Sequence, residues 1–145
     1  MFHEMTIAGV KRQLPLFPVA DDLYIGAFIM FGDVEITEAS ARELLKKVPE
    51  FDIMCTAEAK SIPLIYEMAR QAGHNDYVIA RKGVKVYMKD IISTEVNSIT
   101  TANTQKLYIG GDEAAKMRGK RVLIVDDVIS TGESLRAIEE LVRSA

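Results

Sequence analysis

Residues 122–134 constrain the fold of this chain more than any other stretch. They begin with four aliphatic residues, three of them β-branched, which predict a strand buried on both faces, as in a parallel sheet. Asp126 and Asp127 follow directly, at the carboxyl end of the strand, where open α/β sheets bind ligands. Helical periodicity then covers residues 135–142. This order of strand, acidic pair, loop and helix predicts a ligand site on an α/β sheet.

The loop between the acidic pair and the helix is suited to binding a phosphate group. The first turn of a helix offers free backbone N–H groups and the positive end of the helix dipole. Ser130, Thr131 and Ser134 add hydroxyl donors. Gly132 can adopt a positive φ and allows close approach of a ligand. Because carboxylates lie beside this cradle, we expect a sugar phosphate, with the phosphate on the loop and ribose hydroxyls on the aspartates.

The same thirteen positions resemble the phosphoribosyl pyrophosphate (PRPP) signature of the type I phosphoribosyltransferases. That signature has four hydrophobic residues, two acidic residues, and a loop containing Thr-Gly that ends in Ser or Thr. The resemblance implies that seven residues bind PRPP: Asp126, Asp127, Ser130, Thr131, Gly132, Glu133 and Ser134. Glu133 departs from the pattern, because many members have a second glycine there.

A capping box is a second interpretation of the same loop. Ser130 and Glu133 have the spacing at which a serine hydroxyl accepts from a backbone N–H and a glutamate reaches back to the cap. This interpretation is compatible with phosphate binding, since it would turn the Glu133 side chain away from the ligand. It does not explain the two aspartates.

Length and composition predict one globular domain over residues 1–145, with 48% hydrophobic and 27% charged residues. The net charge of −3 gives no electrostatic reason to expect a nucleic acid partner. No apolar run approaches the length of a membrane span, so we expect no membrane partner either. Cys55 is the only cysteine, which excludes an intramolecular disulfide and favours a cytoplasmic location. We expect its side chain to be packed in a strand.

The hydrophobic pattern predicts an α/β fold with a mainly parallel central sheet flanked by helices. The predicted strands cover residues 23–31, 51–56, 77–80 and 122–125, and the predicted helices run from an N-cap at Thr37 to residue 48, over 61–72, and over 135–142. Residues 1–22 are predicted to be irregular, and residues 1–33 are predicted to form a small N-terminal hood. Residues 83–119 form a long, mobile excursion with short β-like pieces at 84–88 and 105–109. The chain ends where the family normally continues with further core strands.

Two more loops resemble the adenine-type branch of the family, and both follow predicted strands. Residues 58–61 (Glu-Ala-Lys-Ser) are similar to its pyrophosphate loop, Glu-(Ser/Ala)-Arg-Gly, which assigns Ala59 and Lys60 to pyrophosphate. Residues 81–85 are similar to an Arg-Lys-x-Gly-Lys run and add Arg81 and Lys85 to that set. For the first loop, a plain helix start with a surface lysine is the alternative, and for the second, a solvated basic loop.

Residues 92–95 are similar to the start of the family's Ile-Ser-Val-Glu-Tyr catalytic loop, which makes Glu95 a candidate catalytic residue together with Asp127. Residues 29–34 loosely resemble a hood segment that covers adenine. Phe31 is therefore a candidate for binding the base, although an aromatic residue in an apolar strand is usually part of the core.

Together these resemblances imply a purine phosphoribosyltransferase, closest to the adenine type. Such an enzyme transfers ribose 5-phosphate from PRPP to a purine with release of pyrophosphate, as in purine salvage. We expect Mg²⁺ to bind with PRPP, no resident metal site, and a homodimer. The alternative is a non-catalytic PRPP sensor, because residues 56–63 also resemble the Thr-x-x-x-Lys-Gly-Ile-Pro loop of bacterial purine regulators.

Overall fold

The computed structural model describes residues 1–96 and 105–145. Strands and helices alternate along most of the described chain. In order they are β1 (Phe2–Ile7), β2 (Val10–Ala20), β3 (Leu23–Gly26), α1 (Val34–Leu45), β4 (Ile53–Ala57), α2 (Ile62–Ala72), β5 (Val78–Ala80), β6 (Ile92–Val96), β7 (Gln105–Ile109), α3 (Gly111–Met117), β8 (Val122–Ile124) and α4 (Glu133–Ser144).

The central sheet is parallel and has the strand order β5-β4-β8. Cys55 is paired with Val78 on one side and with Ile124 on the other. Strand β4 is therefore the middle strand of the described sheet, and its first four residues are buried, as expected for a strand covered on both faces. This arrangement confirms the predicted α/β class. Strand β8 is only half-buried, so the expectation of a strand buried on both faces was wrong for it.

Helices cover both faces of this sheet. Because neighbouring side chains of a strand point in opposite directions, Met54 and Cys55 contact different helical layers. Met54 packs against the layer formed by α1 and α2, which includes Ile36 and Leu64. Cys55 packs on the opposite face in a cluster with Ile138 of α4. Burial raises the pKa of the Cys55 thiol to about 12. The thiol is thus a packed core group, as its position in an apolar strand predicts.

The N-terminal segment differs from the prediction. Residues 1–22 are not irregular but form a hairpin, and β1, β2 and β3 make an antiparallel sheet. The tight turn places Ala8 at φ 52 and Gly9 at φ 81, the conformation of a two-residue hairpin turn. Ala-Gly is a weaker turn signal than Asn-Gly, and the prolines within β2 argue against a strand in the sequence. The predicted strand over 23–31 is shortened to β3.

Helix α1 begins earlier than predicted. Its N-cap is Asp33 rather than Thr37, and the Asp33 carboxylate accepts from the backbone N–H of Ile36 at 3.1 Å. The Thr37 hydroxyl lies inside the helix and donates to the Asp33 carbonyl at 2.7 Å. Helix α2 matches its prediction, and Gly73 ends it at φ 75.

Residues 83–119 contribute to the core instead of forming a separate excursion. Strands β6 and β7 pair antiparallel and pack on α4, and α3 follows directly. Ile109 and Ala114 are fully buried in the same cluster as Cys55. The predicted piece at 105–109 is confirmed, whereas residues 84–88 form no strand. Residues 97–104, also part of the predicted excursion, lie outside the described residues.

Candidate functional site

The carboxyl ends of the three parallel strands meet at one edge of the sheet, where they border an open cleft of about 770 Å³. The residues after β4 and β8 supply most of its polar lining, and residues 25–29 close it from the N-terminal side. Its lining consists of Ile25, Gly26, Ala27, Phe28, Ile29, Ala57, Glu58, Ala59, Lys60, Ser61, Lys82, Gln105, Leu107, Asp126, Asp127, Val128, Ser130 and Ser134.

Asp126 and Asp127 lie together at the end of β8, although neighbouring side chains on a straight strand would point apart. The chain leaves the strand after Ile124, and the backbone N–H of Asp127 donates to Asp126 Oδ1 at 2.8 Å. Ser61 Oγ lies 3.2 Å from Oδ1 of each aspartate. It also accepts from the Asp127 N–H at 2.9 Å. The bend allows both carboxylates to face one ligand.

The environment of Asp126 favours its protonated form. Burial, followed by the neighbouring Asp127 carboxylate, raises the pKa of Asp126 above its usual range. The Asp127 N–H and the Ser61 hydroxyl act in the opposite direction but are weaker. Asp126 therefore gains from a ligand that donates hydrogen bonds or brings positive charge to the carboxylate.

The loop from Val128 to Ser134 encloses a small recess of about 30 Å³ in front of α4. Gly132 is the N-cap of α4 at φ 84, and no atom lies within 4 Å of the position where a Cβ would be. The predicted capping box was wrong, because the N-cap of α4 is Gly132 rather than Ser130, so Glu133 is the first helical residue and not the third. Its backbone N–H lies 3.5 Å from the Thr131 hydroxyl. The loop therefore presents a helix start and hydroxyls toward one recess, as an anion site requires.

The loop after β4 borders the same cleft. Ala59 and Lys60 are exposed and line it. The peptide bond between Glu58 and Ala59 is cis. Glu58 also lines the cleft. Burial is the largest single effect on the pKa of Glu58 and raises it, but the hydrogen bonds and positive charges around it, led by Arg81, together outweigh burial. The pKa of Glu58 is therefore lowered overall. Glu58 is thus a carboxylate inside a cleft otherwise suited to anions.

The loop after β5 contributes a different cation from the predicted ones. Arg81 is held by Glu58, with Nε 3.0 Å from Glu58 Oε1, and by the Tyr87 hydroxyl at 2.8 Å from Nη1. Neither Arg81 nor Lys85 lines the cleft, whereas Lys82 does. Lys82 lies within the quoted basic run but was not chosen, because no pattern in the sequence tells which cation of the loop points inward.

The two remaining candidates lie away from the acidic pair. Glu95 is exposed on β6 and forms an ion pair with Lys106 across the strand pair, at 3.7 Å. Phe31 is 49% exposed and lines neither the cleft described above nor a second cleft of about 590 Å³ on the other side of the aspartates. Phe28 lines both. The second cleft has mainly apolar walls, formed by residues such as Ile7, Met30 and Leu64.

The acidic pair suits a divalent cation that arrives with its ligand. Among residues 1–96 and 105–145, no three His, Cys, Asp or Glu side chains are grouped to hold a metal by themselves. Two adjacent carboxylates, Asp126 and Asp127, are nevertheless the usual protein share of a Mg²⁺ site that substrate phosphates complete. In the same described part of the chain, no helix has the length and apolar character needed to cross a membrane.

Known proteins match this chain over most of its length. The phosphoribosyl transferase domain family matches residues 34–145. An adenine phosphoribosyltransferase of Thermotoga petrophila is 34% identical over 141 residues, which cover 96% of this chain and 79% of the relative. A hypoxanthine/guanine phosphoribosyltransferase of Methanotorris igneus is 36% identical over 107 residues, covering 72% of this chain and 54% of the relative.

A solved structure shares the fold. The adenine phosphoribosyltransferase of Thermoanaerobacter pseudethanolicus superimposes with a TM-score of 0.70 at 24% identity, over 90% of this chain and 76% of that one. The family match covers all of the central sheet together with the acidic pair and the loop before α4. These findings confirm the prediction drawn from residues 122–134, and the chain belongs to the phosphoribosyltransferase family.

Proposed function

We propose that this protein is a purine phosphoribosyltransferase that transfers ribose 5-phosphate from PRPP to adenine and releases pyrophosphate. The observation that carries the proposal is the position of the Asp126 and Asp127 carboxylates. They lie between the small recess at the start of α4 and the loop after β4 with its exposed lysine. PRPP has its groups in the matching order, with a phosphate at one end, the ribose hydroxyls in the middle and the pyrophosphate at the other end.

The geometry suggests how PRPP is oriented. Its 5-phosphate binds at the loop formed by Ser130, Thr131, Gly132, Glu133 and Ser134, and the ribose hydroxyls donate to the two aspartates. Its pyrophosphate then extends toward Ala59 and Lys60 in the same cleft. Asp126 and Asp127 would hold a Mg²⁺ ion that arrives with PRPP, and the ion would supply positive charge to balance the departing pyrophosphate.

Arg81 and Lys85 remain proposed pyrophosphate ligands. Because Arg81 is held by Glu58, we infer that it reaches the pyrophosphate only after it leaves that carboxylate. Lys82 already lines the cleft and joins the set of proposed ligands.

The chemistry is largely electrostatic. The bond between ribose C1 and the pyrophosphate oxygen breaks as a bond from a purine nitrogen to C1 forms, and positive charge develops on the ribose in between. Residues of the cleft hold both partners in line and balance the leaving group, which lowers the barrier without a covalent intermediate. Glu95 and Asp127 remain the proposed catalytic residues, with Glu95 acting on the proton of the purine.

Adenine is proposed as the acceptor because several relatives carry that name. The base binds where Phe28 borders both clefts, and Phe31 remains the alternative aromatic. Mg²⁺ dependence and a homodimer are also part of this proposal.

Turnover tests the proposal directly. The protein is incubated with PRPP, Mg²⁺ and one base at a time, and nucleotide and pyrophosphate are measured by chromatography. We expect equal amounts of AMP and pyrophosphate with adenine, and none when PRPP is omitted. Preferred turnover of guanine, hypoxanthine or a pyrimidine would refute the adenine assignment, and failure to bind PRPP at all would refute the whole proposal.

A non-catalytic PRPP sensor is the second candidate function. It is favoured by the Glu58–Arg81 ion pair, which keeps one proposed pyrophosphate ligand occupied, and by the regulator-like loop at residues 56–63. Calorimetry of PRPP binding, combined with the turnover assay above, distinguishes the two functions. Tight PRPP binding without nucleotide formation from any base would identify the sensor.

A further inference from the structure

The Ser61 hydroxyl connects the two loops of the candidate site. It lies 3.2 Å from Oδ1 of both Asp126 and Asp127 and accepts from the Asp127 N–H at 2.9 Å. These contacts join residues that are far apart in the sequence. They also join the end of β8 to the start of α2.

The Ser61 hydroxyl is buried and contacts the two aspartates rather than its own helix. The residue is 2% exposed and stands at the N-cap of α2, yet its side chain makes no capping hydrogen bond to that helix. An N-cap serine usually accepts a hydrogen bond from a backbone N–H in the first turn of the helix that it begins. Here the hydroxyl turns to the carboxylates instead, and its loss should not remove a helix cap.

We propose that Ser61 is a positioning residue, which fixes the orientation of Asp126 and Asp127 toward the ribose of PRPP. This proposal rests on the function proposed above. A hydroxyl has one proton, so Ser61 donates to one carboxylate at a time while it accepts from the Asp127 N–H. It thereby restrains two neighbouring carboxylates that would otherwise repel each other and turn apart.

The contact also has an electrostatic consequence. A hydrogen bond from Ser61 stabilises the charged form of Asp126, which receives the ribose hydroxyl. Other charged groups border the two clefts and surround Asp126 and Asp127, whether or not the Ser61 hydroxyl is present. They are Glu58, Lys60 and Lys82 in one cleft and Glu43 and Lys47 in the other.

Steady-state kinetics of Ser61→Ala tests the positioning role. We expect the KM for PRPP to rise about tenfold, the usual order for a lost hydrogen bond to a charged group, with the KM for the base unchanged. Ser61→Thr, which keeps the hydroxyl, should restore much of the PRPP affinity. Ser144→Ala is the matched control, because Ser144 donates to a helix carbonyl at the far end of α4. Equal rises in both KM values, or no change, would overturn the proposal.

Calorimetry of PRPP binding separates this proposal from the proposed function. In Ser61→Ala the Kd for PRPP should rise about tenfold, and in Ser61→Thr it should return toward the parental value. If the parent neither binds PRPP nor turns over, the proposed function fails. If the parent binds PRPP and Ser61→Ala binds it equally well, the role of Ser61 is refuted. Should Ser61→Ala not fold, Ser61→Cys, with a weak donor of similar size, undergoes the same measurements.

Discussion

Arg81 Nε lies 3.0 Å from Glu58 Oε1, and this ion pair joins the loops that follow β4 and β5. Both side chains are largely shielded, at 32% and 18% exposure. The pair holds a cation that the pyrophosphate could use, and it places a carboxylate in the cleft. Both effects oppose the binding of an anion.

Replacing Glu58 by Gln should therefore strengthen PRPP binding. The substitution keeps the shape of the side chain, removes the negative charge from the cleft and releases Arg81. We expect the Kd for PRPP to fall several-fold in calorimetry at low salt, and the gain to shrink as salt screens the charges. Glu50→Gln is the control, because Glu50 pairs with Arg121 at 2.8 Å, outside the residues that line the cleft. Weaker PRPP binding in Glu58→Gln would show instead that the carboxylate helps to hold the ligand.

The acidic pair gives the prediction closest to the proposed function. Asp126→Asn and Asp127→Asn each keep one acceptor oxygen but lose the charge that receives a ribose hydroxyl. A hydrogen bond to a charged group contributes about 1.5–3 kcal/mol, so each variant should bind PRPP about ten- to a hundredfold more weakly. Asp76→Asn, which removes a carboxylate paired with Lys116 on the surface, should bind like the parent. Parental affinity in both Asp126→Asn and Asp127→Asn would exclude the ribose assignment.

Asp126 should also make folding stability depend on pH. Its pKa is raised in the folded state, so the folded protein is stabilised by this group at low pH and loses that contribution as pH rises through the folded value. At a pH above the folded value the carboxylate is charged and half-buried, so Asp126→Asn should melt there at the same temperature as the parent or higher. The difference should disappear when both are melted under acidic conditions. A variant that melts well below the parent at a pH above the folded value would contradict this.

The sequence was sufficient for the elements that depend on local signals. Strand β4 and helix α2 follow from an apolar run, a proline in the first helical turn and Gly73 after the last. The acidic pair at the end of β8 was located by the same reasoning. These features are encoded by neighbours along the chain.

Other features depend on contacts between distant parts of the chain, and local sequence patterns do not predict them. Asp33 and Thr37 are both good N-caps, and the choice of Asp33 is reinforced by Arg12, which binds its carboxylate from β2 at 2.7 Å. The role of Ser61 arises from Asp126 and Asp127, which only the parallel pairing of β4 with β8 brings close. The position of Lys82 inside the cleft depends likewise on how its loop is held.

Gly132 should matter for both stability and phosphate binding. At φ 84 an alanine is strained even where space is free, at a cost of about 1–2 kcal/mol. Gly132→Ala should lower the melting temperature by several degrees and weaken PRPP binding, because the recess before α4 changes shape. Gly119→Ala is a matched control, since Gly119 has φ 70, equally free space and a position outside the residues that line the cleft. It should lose similar stability and keep PRPP affinity. Equal PRPP affinity in the two variants would exclude the loop as the phosphate site.

The base site can be assigned by comparing two phenylalanines. Phe28 is half-buried and lines both clefts beside the aspartates, whereas Phe31 is exposed and lines neither. Stacking of a base on an aromatic ring contributes about 1–3 kcal/mol. Phe28→Ala should therefore raise the KM for adenine about tenfold while the KM for PRPP stays constant, and Phe31→Ala should change neither. The reverse result, with Phe31→Ala alone raising the KM for adenine, would assign base binding to Phe31, as the sequence predicted. It would also require residues 29–34 to move toward the cleft when the substrates bind.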